Sequence, residues 1–287
     1  MALFQKKEKN PPEPQYFTSA TNEQVYNYNV YYMSKKEKLL YILLAFAVGA
    51  VVGYLFYGGL AKDEYGYATT MTHILNIVIP SIVGIVAVRL FLPMRNKQIV
   101  EKKKRMLNSQ FRDMLDSLTT AIGAGKNVPD SFVSVRDDLQ NQYSEDVFIL
   151  KEIDVIIAGM GNNIPIEELL MDLGKRSGNT DIMSFANIFR ISYRKGGNLK
   201  DIIRNAHEIL SDKMQINEEI ETAISGSKLN INIMICLPIA LIAIIKMMSP
   251  EFASNFTSPA GIVSTTIAIV LFVVAYFIGK SMMAIKI

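Results

Sequence analysis

The chain has 287 residues, a formal charge of +3 and one cysteine. So small a charge argues against a nucleic-acid partner, because the basic residues gather beside apolar segments instead of forming a stripe along one face. The lone thiol, Cys236, excludes a disulfide framework within the chain and reads as a small buried apolar side chain.

Residues 1–38 read as a cytoplasmic tail without stable structure. The run Lys6-Lys7-Glu8-Lys9-Asn10-Pro11-Pro12-Glu13-Pro14 can neither form a helix nor offset its ordering entropy by apolar burial. No apolar core follows the first methionine closely, so a cleaved signal peptide is not expected. Tyrosines 16, 26, 28, 31 and 32 are unusual in a linker. The simpler reading is a tail lying along a bilayer interface, with Tyr rings at the headgroups, and the sharper one is a docking segment for a cytoplasmic partner.

Residues 39–93 hold two apolar runs of about the length that crosses a bilayer as a helix. The first, Leu39 to Leu60, ends in Tyr54 and Tyr57; the second, His73 to Pro93, is interrupted by Pro80 and carries Arg89 near one end, where its long stem can reach the headgroups. Within the first, Ala45, Gly49 and Gly53 recur at the small-residue spacing that lets helices approach closely, which predicts pairing with another span or subunit. Two further apolar runs lie in residues 229–279: Leu229 to Met248, with Pro238 inside, and Ile262 to Gly279. Basic residues flank the runs at Lys35, Lys36 and Lys38 and again from Arg95 to Arg105, whereas the loops 61–72 and 249–261 hold only Lys62 against Asp63, Glu64 and Glu251. The excess of positive charge predicts that both termini and the middle of the chain face the cytoplasm. The basic run Lys102 to Arg105 reads as a solvated, lipid-facing anchor.

Between the runs, residues 94–228 form a polar stretch with an internal repeat of about 36 residues, a period found among helical hairpins. Gly125-Lys126-Asn127-Val128-Pro129-Asp130, Gly161-Asn162-Asn163-Ile164-Pro165 and Gly197-Asn198-Leu199-Lys200-Asp201 each pair a glycine suited to the left-handed turn after a helix with an asparagine suited to cap the next one. Gly125, Asn127, Gly161, Asn163, Gly197 and Asn198 are therefore the expected turn residues. Six amphipathic helices follow: Arg105 to Ala124, Pro129 to Leu139, Ser144 to Ala158, Pro165 to Arg176, Thr180 to Arg194 and Leu199 to Ile224. The first presents Leu107, Phe111, Leu115, Leu118 and Ile122; the fifth presents Ile182, Phe185, Ala186, Phe189 and Tyr193. The sixth turns Leu199, Ile202, Ile203, Ala206, Leu210, Ile220 and Ile224 inward. The fold class expected is thus an all-α integral membrane protein, with four transmembrane helices in two hairpins flanking a cytoplasmic six-helix bundle, and a short cytoplasmic tail at 280–287.

Residues suited to catalysis are scarce. Gly174-Lys175-Arg176-Ser177 lacks a phosphate loop's first glycine, since Leu169 stands there, and is read as a helix end. His73 and His207 are isolated from other metal-binding side chains. The acidic neighbours Asp113 with Asp116, Asp137 with Asp138, and Glu218, Glu219 and Glu221 read as solvated helix faces. The apolar runs contain no acid, unlike most ion-coupled transporters. No enzyme activity, cofactor or metal is expected.

The succession Phe111-Arg112-Asp113-Met114-Leu115, Ala124-Gly125, Gly161, and Arg194-Lys195-Gly196-Gly197-Asn198-Leu199 resembles the type II secretion system F domain family. Leu237-Pro238, Met248-Ser249-Pro250-Glu251-Phe252 and Gly279-Lys280-Ser281-Met282 extend the resemblance over about residues 73–287, in the manner of its tight-adherence (Tad) pilus branch. The resemblance implies a non-catalytic platform in the cytoplasmic (inner) membrane that couples a cytoplasmic secretion ATPase to pilin subunits and works with a paralogous platform protein or a second copy of itself. Larger relatives carry two such domains, and this chain has room for one. On that reading Arg190, Arg194, Lys195 and Lys200, near the third turn, are the expected ATPase contacts. The competing readings are a small-solute permease with a regulatory bundle, disfavoured by the absence of an inverted repeat, and a membrane-tethered helical adaptor or sensor.

Overall fold

The computed structural model describes residues 13–18, 24–61 and 67–283, most of them helical. Residues 1–12, the loop charges Lys62, Asp63 and Glu64, and residues 284–287 lie outside the described residues. After a short antiparallel pair, β1 (Tyr16–Thr18) and β2 (Gln24–Tyr26), come α1 (Lys35–Tyr57), α2 (Thr70–Gly123), α3 (Val128–Gln142), α4 (Phe148–Gly161), α5 (Ile166–Ser177), α6 (Thr180–Lys195), α7 (Leu199–Met248), α8 (Pro250–Asn255) and α9 (Pro259–Met283). The packing divides these into two units. One holds the described residues of Met1–Tyr32 and Asn96–Asn217, the other those of Met33–Arg95 and Glu218–Ile287.

Helices α2 and α7 are longer than the sequence suggests, at 54 and 50 residues, because each fuses an apolar run with an amphipathic one. Pro80 and Pro93 in α2 and Pro238 in α7 do not end them. A proline deletes one backbone donor, and where the helix is apolar no competing water rewards a break. Beside Pro80 the Ser81 hydroxyl donates to the Ile77 carbonyl at 2.6 Å, which ties that turn together.

The polar unit is built as water demands. Leu107, Phe111, Met114, Leu115 and Leu118 of α2 meet Phe132, Val135 and Leu139 of α3, Ile149, Ile153 and Ile156 of α4, Leu170 and Leu173 of α5, and Ile182, Phe185 and Phe189 of α6 in one buried cluster. The expected stripe is corrected at its ends. Tyr193 is 40% exposed, and of the inward positions on α7 only Ile203 and Leu210 are fully buried, while Ile220 and Ile224 fall within the other unit. Fixing so many apolar side chains in one interior supplies the main stabilising term, at about 1.5–3 kcal/mol for each large side chain.

The second unit inverts that pattern. Leu43, Val48, Ile77, Ile85, Leu237 and Leu271 are all about half or more exposed. Lys35–Tyr57, Thr70–Gly123, Leu199–Met248 and Pro259–Gly279 are each long and apolar enough to cross a membrane, which marks the chain as a membrane protein. Close approach takes the place of a large interior. A Cβ on Gly49 would stand 2.7 Å from the Ala87 Cβ and 2.9 Å from the Gly84 Cα, so α1 and α2 touch nearly backbone to backbone. The face of Gly49 and Gly53, with the half-buried Ala45 one turn before, is thus turned to α2 of the same chain. At the end of α1 the Lys246 ammonium donates to the Leu55 carbonyl at 2.7 Å, placing a cation on carbonyls that the helix leaves unpaired.

Candidate functional site

The three repeat turns share a sequence pattern but not a backbone. At the first, Gly125 takes a φ of 86°, and the Asn127 side chain accepts from the Asp130 amide at 2.8 Å to cap α3. At the second, Gly161 is the last residue of α4, Asn163 takes the left-handed conformation with φ 60°, and Pro165 precedes α5 at the cap position with no side-chain cap bond. At the third, Gly196 and not Gly197 is left-handed (φ 69°), and Asn198 accepts from the Asp201 amide at 3.4 Å. Asparagine tolerates that conformation better than other side chains because of its short polar group, so it replaces glycine at the second turn.

The four basic residues near the third turn are not equivalent. Arg194 bonds Glu167 at 3.0 Å and comes within 3.9 Å of Glu168, so its charge is largely matched within the chain. The Lys200 amine lies over the end of α2, 3.6 Å from where a Cβ on Gly123 would be. Arg190 is half-buried and donates to the Asn187 side chain at 3.4 Å, while Lys195 is exposed.

The densest polar constellation lies elsewhere, and it captures the N-terminal segment. Arg176, at the end of α5, grips Glu152 of α4 through two bonds of 2.8 and 2.7 Å, with both side chains 4% exposed. Arg176 also donates to Asp172 at 2.6 Å and to the Tyr26 carbonyl at 3.1 Å. Tyr28, 1% exposed, donates its hydroxyl to Glu152 at 2.8 Å, and its amide bonds the Arg176 carbonyl at 2.9 Å. Asn29 reaches the carbonyls of Lys175 and Arg176, and Gly178, left-handed at φ 56°, leaves room for it, since a Cβ there would lie 1.7 Å from the Asn29 Oδ1 unless that side chain moved.

This corrects two expectations. Residues 13–18 and 24–34 are not a structureless tail lying along a bilayer; β1, β2 and the turn after them pack on the polar unit, and Asn27 is fully buried. Lys103 and Lys104 are likewise not lipid anchors. Lys103 donates to the Tyr26 hydroxyl at 2.8 Å and stands 4.2 Å over the Tyr31 ring, and Lys104 bonds Asn29 at 2.8 Å. The physical reason is that Tyr26 and Tyr31 supply a hydroxyl and ring faces to Lys103 while the Asn29 side-chain carbonyl accepts from Lys104, which offsets the entropy of ordering the segment.

Burial shapes the acid–base behaviour of this group. The Tyr28 pKa is pushed well above that of free tyrosine, first by burial and then by the charge of, and hydrogen bond to, Glu152. For Arg176 burial works against the charge, but the hydrogen bond to Glu152 and the charges of Glu152 and Asp172 outweigh it, and its pKa is raised. Burial lowers that of Lys104. The cluster therefore keeps the Arg176 guanidinium charged and the Tyr28 phenol neutral, an arrangement suited to binding and orienting.

A signal for the pair was present in the sequence. Glu152 shares the helical face of Ile149, Ile153 and Ile156, and Arg176 that of Leu169 and Leu173, so two opposite charges stand on the inward faces of consecutive helices. The other acidic neighbours have local roles. Asp113 is held by Arg112 at 2.7 Å and by the Tyr143 hydroxyl, and Asp138 accepts from Ser117 at 3.0 Å. His207 lies against the Arg112 carbonyl at 3.3 Å. Among the described residues no group of three or more His, Cys, Asp or Glu side chains is placed to hold a metal ion. Comparison of the chain with protein-family models, with curated proteins and with solved structures found no match in any of the three.

Proposed function

We propose that this chain is the inner-membrane platform of a Tad or type IV-like pilus, or of a type II secretion machine, which couples a cytoplasmic ATPase to pilin extraction and filament assembly. The observation that carries the reading is the order of the parts: two long apolar helices, a polar helical unit with its own core, then two more apolar helices. The motif succession from Phe111 to Leu199 and the ends at Met248-Ser249-Pro250 and Gly279-Lys280 supply its family resemblance. On this reading the polar unit is a cytoplasmic six-helix bundle and the apolar helices form two transmembrane hairpins, with both termini in the cytoplasm.

The mechanism is mechanical. The bundle receives ATPase motion, and α2 and α7, each carrying residues of both units, pass it to the spans that hand pilin into the filament. Long helices suit that task because they transmit displacement with less loss than loops. Lys195 and Arg190 are the favoured ATPase contacts of the four basic residues, since Arg194 is engaged by Glu167. A paralogous platform protein or a second copy would complete the assembly. Co-purification of the detergent-solubilised chain with a secretion ATPase encoded beside it, lost on reversing the charge at Arg190, Arg194, Lys195 and Lys200 while the fold is kept, tests the reading. Undiminished filament assembly by that variant excludes these contacts, and genomic neighbours typical of a solute transporter would replace the platform by a permease.

A further inference from the structure

We propose that the polar unit contains a binding site for a tyrosine-bearing turn, that Asn27-Tyr28-Asn29 fills this site in cis, and that the segment works as a releasable latch. The site is complete without its occupant. Glu152 is held by Arg176 through two bonds, and Arg176 by the half-exposed Asp172 through another, so the two buried charges compensate each other using residues of α4 and α5 alone. What the pair leaves over is a second lone pair on the Glu152 Oε1, which accepts from the Tyr28 hydroxyl, and a second hydrogen on the Arg176 Nη1, which is donated to the Tyr26 carbonyl. A buried charge presented this way selects a neutral donor on a flat ring, which is the chemistry of a tyrosine side chain.

The end of α5 selects the backbone around that ring. Helices leave their last carbonyls without internal partners, and here the Tyr28 amide and the Asn29 side chain donate to Arg176 and Lys175. Gly178 opens the space for Asn29. The Phe148 ring meets Tyr28 edge-on at 5.3 Å and closes one wall.

Attachment is concentrated in a few residues. Val25, Asn27 and Tyr28 are buried, whereas all three residues of β1 are exposed and Tyr32 is 48% exposed. A segment whose buried attachment is concentrated between Val25 and Asn29, with Lys103 holding Tyr26 and Tyr31 at the surface, can open locally without unfolding the unit that binds it. Tethering supplies an effective concentration on the order of millimolar, which keeps the site closed against weaker competitors. The latch stands independently of the pilus reading, because it rests on contacts within one unit.

The test uses the full chain in detergent and a fluorescent synthetic peptide with the sequence of residues 13–33. In the Asn27→Ala/Tyr28→Ala variant the cis occupant is weakened, and the peptide should bind. Wild-type protein should bind it at least about tenfold more weakly, and a peptide carrying Tyr28→Phe should lose roughly ten- to a hundredfold in affinity for the variant, as expected for one hydrogen bond to a charged acceptor. A folded variant that ignores the peptide, or that binds both peptides equally, overturns the proposal. Should the double variant not fold, amide hydrogen exchange of wild type decides. Amides 25–29 should exchange at least about tenfold faster than those in the centres of α3 and α6, and Tyr28→Phe should speed them alone; exchange at the rate of the core would make the segment an integral part of the fold and end the latch.

Discussion

The two units solve the same packing problem in opposite solvents. In the polar unit Leu115, Phe132 and Ile153 are fully buried, and the charges that go inside are compensated, Glu152 by Arg176 and Glu167 by the more exposed Arg194. In the apolar unit Leu43, Ile77 and Leu271 face outward, and contact is made by glycines that bring backbones together. Apolar side chains gain nothing by hiding from lipid, so association there depends on close van der Waals approach, while in water removal of apolar area is the chief driving force. The same residue type thus marks the inside of one unit and the outside of the other.

The largest effect should come from breaking the pair that the polar unit buries. Glu152→Ala should destabilise that unit by about 3–5 kcal/mol, because it leaves a buried guanidinium with only the half-exposed Asp172 as counter-charge, and Glu152→Gln with Arg176→Met should recover a good part of the loss; unfolding followed by circular dichroism in detergent measures both. If the single and double changes cost the same, the pair is not acting as a compensated unit. A charge on an exposed isoleucine is the sharpest test of the contrast between the units. Ile77→Asp should cost about 2.5–3.5 kcal/mol of membrane insertion, whereas Ile188→Asp, on an exposed position of α6, should stay within about 0.5 kcal/mol in stability. Equal tolerance at both sites, read as membrane-fraction yield, would erase the distinction.

Smaller consequences follow for the glycine contact. Gly49→Leu should overpack α1 on α2 and cost about 1–3 kcal/mol, seen as a lower melting temperature of the single protomer; a change confined to assembly size would move that face to an interface between copies. The mildest effect is on pH. The Tyr143 pKa is raised from 10.0 to about 12, first by burial and then by Asp113. The folded unit holds that proton more tightly than the unfolded chain, so the contribution is full below pH 10 and is lost as pH rises toward about 12. Tyr143→Phe should make the alkaline limb of a stability profile shallower, with Tyr28 still contributing to it, and leave the neutral region nearly parallel to wild type.

Much of the helical order was legible because period and punctuation are local properties. Asn127 and Asn198 cap helices from within three residues, and the stripe Leu107, Phe111, Leu115, Leu118 follows from 3.6 residues per turn. The continuity of α2 and α7 was not legible, since a change from apolar to charged residues looks like a boundary and a proline like a break, while a backbone already fully bonded crosses both. The turn at Gly161-Asn162-Asn163 shows the same limit. Glycine and asparagine both accept a left-handed φ, and only the packing of α4 on α5 selected Asn163.

By itself, the amino-acid sequence determined that four helices are apolar enough to cross a membrane and that a water-adapted helical unit separates them, because solvent preference and helical period are written residue by residue. Tertiary structure decided where Tyr28 goes, that Glu152 meets Arg176, and that Lys103 and Lys104 answer to tyrosines and asparagine instead of lipid. Those outcomes depend on partners more than seventy positions away or on adjoining helices, and a charge or a phenol carries no mark of which distant group will compensate it.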